Sequence, residues 1–199
     1  MGPLPAPAAV LGRGELGLLI LGLVIFFGVH LIPGFRPVRG LLVARVGEGA
    51  YKGILSLVSF AALGMVAWGK SRAQPIPLWN APEWGRFAAL WFMPLAFVSI
   101  TAAFIPSNFR RCTAHPMLWG VLLWALLHLL ANSDLASLLL FGSFGLYSLY
   151  AMWSQNLRGA KPSDARHPLP GDAAAVAIGL AAYFAVLHAH RWLFGAAVI

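Results

Sequence analysis

Cysteine occurs once in the 199 residues, at Cys112, so no disulfide can form within the chain, and neither CxxC nor CxxCH is present. Charge is also sparse: 14 Lys and Arg and 6 Asp and Glu make up 10% of the chain. Soluble domains carry roughly a quarter charged residues; here 60% of residues are apolar and the mean hydropathy is +0.78. A soluble globular domain is therefore disfavoured. HExxH, a nucleophile elbow and a Gly-rich phosphate loop are all missing, which argues against the zinc-protease, hydrolase and nucleotide-binding classes. Gly47-Glu48-Gly49 is no dinucleotide fingerprint, because no strand precedes it. The net charge of +8 does not indicate nucleic acid either, since the basic residues are dispersed in small groups rather than along a stripe.

What the chain does have is long runs without charge. Windows 16–35, 53–69, 87–109, 112–133, 135–157 and 173–190 contain no Asp, Glu, Lys or Arg. A membrane helix needs about 20 apolar residues, with about 17 tolerated. The pattern predicts an all-α, polytopic transmembrane bundle of about six spans, in which residues 1–13 form an N-terminal tail and 14–199 a single integral membrane domain. The first window follows Arg13 and Glu15 and exceeds the length of a signal-peptide core, so it reads as a retained helix. Pro33 and Pro37 should end it, Pro94 should kink the third span, and Pro116 should open the fourth. Ser133 or Asp134 is expected to cap the fifth helix and Gly171-Asp172 the sixth. The Pro-rich start and 158–171 are the stretches expected to be mobile.

Nine Lys and Arg fall in 36–52, 110–111 and 158–171, against five on the other side. The positive-inside rule places the nine-charge side in the cytoplasm and both termini on the other side of the membrane.

Ionisable groups in spans are costly and are functional candidates. The five are His30, His115, His128, His188 and His190; His167 falls in a loop. His30 and His115 should lie within about 8 Å of one interface, and His128 about 20 Å further along the fourth span, at a rise of 1.5 Å per residue. His128 and His188 form a second expected pair, whereas His190 lies about 200° round from His188. Two histidines at one level can grip a porphyrin from opposite faces, as axial ligands to haem iron. The alternative for each is a hydrogen bond to a nearby carbonyl or lipid headgroup. Zinc is disfavoured because no compact third or fourth ligand is visible.

The motifs Phe27-Gly28-Val29-His30, Arg45 to Gly53, Cys112-Thr113-Ala114-His115-Pro116-Met117, and Trp124 through His128 to Asn132-Ser133-Asp134 together resemble the NnrU family. These are multi-pass bacterial membrane proteins linked to nitrite and nitric oxide metabolism in denitrifiers. The resemblance covers about residues 16–195. The family is similar to the plant zeta-carotene isomerase, which uses a b-type haem to isomerise a cis double bond in a polyene. Carried over position by position, the resemblance implies haem b on His30 and His115, with Cys112 as an alternative ligand; His128 and His188 rank second. Met117 stands where the isomerases have glutamine, and Ala114 where a basic residue is usual, which favours the NnrU side. The implied partners are the lipid bilayer and nitric oxide or a polyene lipid, with a membrane or denitrification protein as a further candidate. If the chain is an enzyme, it is a haem-dependent cis-trans isomerase. The alternative is a non-enzymatic membrane factor that supports a nitrite or nitric oxide reductase system, its basic 36–52 segment docking a partner or anionic lipid. A transporter is disfavoured, because neither inverted repeats nor a carboxylate within a span is seen.

Overall fold

The computed structural model describes residues 7–194, with side chains from Gly14 onward. It is helical throughout: α1 (Pro7–Leu31), α2 (Arg36–Val46), α3 (Glu48–Arg72), α4 (Gly85–Thr101), α5 (Phe109–Cys112), α6 (Pro116–Ala131), α7 (Leu135–Ser137), α8 (Ser143–Leu157) and α9 (Leu169–Phe194). The backbone is helical from Pro7, and residues 1–6 of the expected tail lie outside the described residues. Four segments are long and apolar enough to cross a membrane: 14–34, 48–72, 135–157 and 169–194. Two shorter apolar helices, α4 and α6, fill the remaining charge-free windows. The chain is a helical membrane bundle. Its outward side chains agree with this: Phe60 (73% exposed), Leu57 (71%), Leu146 (70%) and Trp91 (67%) suit lipid rather than water.

α4 and α6 are shorter than their windows for local reasons. α4 ends at Thr101, whose hydroxyl donates back to the Phe97 carbonyl at 2.8 Å, five residues before Pro106. α6 cannot begin before Pro116, because a residue preceding proline is pushed out of the helical region; His115 has φ −130° and ψ 52°.

The chain divides into two compact units, at Ile76/Pro77. In the first, α1 and α3 pack as an antiparallel pair around Leu19, Leu23, Phe26, Ala62 and Val66. Backbones touch at Gly22 and Gly69: a Cβ on Gly69 would sit 2.6 Å from the Leu19 nitrogen. Small residues replace the missing hydrophobic drive between helices in lipid by admitting close contact.

In the second unit α4 packs antiparallel against both α6 and α9. A Cβ on Gly120 of α6 would lie 2.7 Å from the Ala96 carbonyl oxygen, and one on Gly179 of α9 would lie 2.7 Å from Val98 Cα. α8 returns antiparallel to α6 after a turn in which Asp134 is the cap: its carboxylate accepts from the Ser137 amide at 3.0 Å and the Ser137 hydroxyl at 2.5 Å. A π-helical turn, Leu138–Gly142, joins α7 to α8. Leu78 donates to the Ser133 carbonyl at 2.8 Å, tying the segment before α4 to the same turn.

Proline in α4 creates a debt that α9 settles. Pro94 has no N–H, so the Leu90 carbonyl four residues earlier loses its helical donor. The Tyr183 hydroxyl of α9 donates to that carbonyl at 2.9 Å. Replacing Tyr183 by Phe should destabilise the protein by about 1–3 kcal/mol, since the carbonyl would be left buried and unpaired. Pro94→Ala restores the N–H, so the double variant should lose clearly less than the sum of the singles. Unfolding in detergent followed by circular dichroism measures the cycle; strict additivity would refute this role for Tyr183.

Candidate functional site

His30 stands one residue before the end of α1, in the first unit. Its Nδ1 donates to the Phe26 carbonyl oxygen, which can only accept, at 2.7 Å. The ring stacks on Phe26 at 4.0 Å between centroids, and these two contacts fix its orientation. Towards the same end of the α1–α3 pair lies Tyr51, 4% exposed, whose hydroxyl has no hydrogen-bond partner among the described residues.

His115 belongs to the second unit and is 7% exposed. It is the residue before α6, with its backbone N–H donating to the Thr113 hydroxyl at 3.1 Å. Its Nε2 donates to Oδ1 of Asn156, near the end of α8, at 2.7 Å. This is the reverse of the His30 arrangement, and Asn156 was not visible as its partner in the sequence. Cys112, which is exposed, ends α5. Thr113 is extended, at φ −152°, so Cys112 and His115 do not share a helical face as their spacing suggests. Nor does Cys112 occupy a first helical turn where a dipole would favour the thiolate, because Pro116 delays the start of α6.

The end of the second unit that carries His115 is closed by a polar clasp. The Asn108 amide and side chain donate to the Asp172 carboxylate at 2.6 and 2.7 Å. The Asn108 side chain also donates to the His167 carbonyl at 2.8 Å and accepts from the His167 amide at 3.1 Å. Ser163 donates to the Arg110 carbonyl at 2.9 Å. The 158–171 connection, expected to be mobile, is therefore pinned to the start of α5. Asp172, expected as a helix cap, reaches across to Asn108 instead, because α9 already begins at Leu169. Ser107, next to the clasp, is fully buried, and its hydroxyl lacks a partner among the described residues.

At the opposite end of the second unit, His128 sits in an aromatic cluster. Its Nδ1 donates to the Trp124 carbonyl at 2.8 Å, and its ring stacks on Phe141 at 4.3 Å. Phe141 belongs to the π-helical turn. The second imidazole beside His128 is His190, at 6.4 Å between centroids and 18° between planes. His188 instead points outward on α9, exposed, with Nδ1 donating to the Phe184 carbonyl at 2.8 Å. The expected His128/His188 pair thus becomes His128/His190: two residues along a helix turn the side chain about 200°, so only one can face α6. Among the described residues no cluster of three or more His, Cys, Asp or Glu could hold a bare metal ion.

The family model for NnrU protein matches residues 18–198. The chain belongs to the NnrU family. No curated protein and no solved structure matches it significantly. The match spans both units of this NnrU chain, including all five span histidines and the clasp.

The clasp gives a direct test within the NnrU fold. Asn108→Ala removes three side-chain hydrogen bonds while leaving the backbone donor to Asp172. Amide hydrogen exchange over 163–167 should then rise by about tenfold or more, the equivalent of about 1.4 kcal/mol of lost local stability. Unchanged exchange would mean that the connection is held by other contacts.

Proposed function

We propose that this NnrU protein binds haem b in the membrane, which His30 of the first unit would hold, His115 of the second unit being a further candidate ligand. The observation that carries the proposal is the His30 ring. Histidines that ligate metals usually donate the other ring N–H to a carbonyl, which fixes the tautomer and strengthens the ligand. His30 does this through Nδ1 to Phe26. Each unit also has an orphaned hydroxyl at its histidine end, Tyr51 with His30 and Ser107 with His115, and each is suited to a polar group not supplied by the protein. The donor set therefore fits a porphyrin better than a bare ion, since a porphyrin brings four of its own ligands.

His115 differs because Asn156 holds its Nε2. Its Nδ1 is then the nitrogen that His115 would offer to iron. When bound, haem iron would supply an open position for nitric oxide or a Lewis acid for a polyene double bond. The protein's own part is to orient His30 through Phe26 and His115 through Asn156. Cys112, exposed beside His115, is the further candidate ligand. On this reading the protein works in nitrite and nitric oxide metabolism at the bacterial inner membrane, or isomerises a polyene lipid there.

Oxidised and reduced absorption spectra of the detergent-purified protein test the proposal. The parent should show a Soret band and b-type reduced peaks. His30→Ala should lose them, while His115→Ala and Asn156→Ala should retain haem with altered ligand-field bands. Loss in His128→Ala and His190→Ala, with His30→Ala unaffected, would move the ligands to the aromatic cluster. A colourless parent from haem-replete cells would overturn haem binding and favour a non-enzymatic membrane factor.

A further inference from the structure

The basic 36–52 segment is not a loop. It consists of α2 and the first turn of α3, and no residue of α2 is buried. Phe35 is 58% exposed, and Val38, Leu41 and Val46 are exposed as well. Water would not tolerate this apolar surface on so small an element without cost. α2 is bracketed by α1 and α3, each within a segment long and apolar enough to cross a membrane, so both of its ends are held at one membrane surface.

The charge on this segment is one-sided. Arg36, Arg39, Arg45 and Lys52 stand against one carboxylate, Glu48. That carboxylate is already shared by Arg39 at 3.1 Å and Lys52 at 3.0 Å. Arg36 and Arg45 have no carboxylate partner among the described residues. Independently of the haem reading, the geometry points to α2 as an interfacial helix: Val38 and Leu41 enter the acyl boundary, Arg45, which shares their face, extends past them to the headgroups, and Arg36 on the opposite face joins it in binding the phosphates of anionic phospholipids. Long basic side chains can reach headgroups from a shallow helix, and each adds to the attraction of an anionic leaflet.

Two measurements on the full-length protein in bilayers of equal phosphatidylcholine and phosphatidylglycerol test this. A nitroxide on Leu41→Cys, with Cys112→Ser, should collide more with oxygen than with an aqueous nickel chelate, whereas one on Asp164→Cys should do the reverse. Native mass spectrometry should show phosphatidylglycerol enriched among retained lipids. Arg36→Gln with Arg45→Gln should cut that enrichment by roughly tenfold or more, the scale of two surface charges, and Arg36→Lys with Arg45→Lys should largely keep it. A water-exposed Leu41 label, or enrichment unchanged in the glutamine pair, would overturn the inference. A water-exposed label combined with no enrichment in the parent would favour a protein partner for this surface.

Discussion

Lipid offers no hydrogen-bond partners, so every peptide group at membrane depth must be satisfied by the protein itself. That constraint accounts for most of this architecture. It makes every regular element among the described residues a helix, and it makes each break in a helix a problem needing a local answer. The clearest case is Leu90, whose carbonyl loses its helical donor to Pro94 and regains one from Tyr183. The same need places Asp134 over the start of α7 and returns the Thr101 hydroxyl to its own helix. Close packing follows by a different route. Without a hydrophobic drive between helices, contact comes from small residues, and Gly69, Gly120 and Gly179 let backbones meet where a Cβ would not fit.

Against this apolar background the polar side chains sort by position. His115, Asn156, Asn108, Asp172 and the buried Ser107 gather at one end of the second unit. His128 and His190 lie at the other end among Trp124, Phe141 and Phe194. A polar clasp at one end and an imidazole pair in an aromatic setting at the other suit different tasks. The clasp orders the chain around His115. The aromatic cluster gives two nearly parallel rings a low-dielectric setting, with Phe141 carried into it by the π-helical turn.

Much of the fold was legible in the charge map, because an uncharged run of about 20 residues has few other uses. All six windows contain a helix, and Pro33 and Pro116 mark helix boundaries as expected, whereas Pro37, expected to end the first helix, lies in the first turn of α2. The limits were set by local chemistry that spacing does not encode. Cys112 and His115 have helical spacing, but Pro116 forces the intervening backbone to extend. His188 and His190 are equally spaced candidates for His128, and only the packing of α9 selects His190. The 158–171 stretch looks like a flexible linker by composition, yet Asn108, 59 residues before His167, pins it through its side chain. Pro94 was legible as an interruption of the third span, but nothing in the sequence named Tyr183 as the donor to the Leu90 carbonyl.

On the proposed reading, one chain binds one haem b. This is tested most directly by titrating haem b into the solubilised protein and following the Soret band against empty detergent micelles. The account predicts saturation at one haem per chain, with a spectrum distinct from haem in detergent alone. A signal that rises without saturating, or matches that of empty micelles, would contradict it.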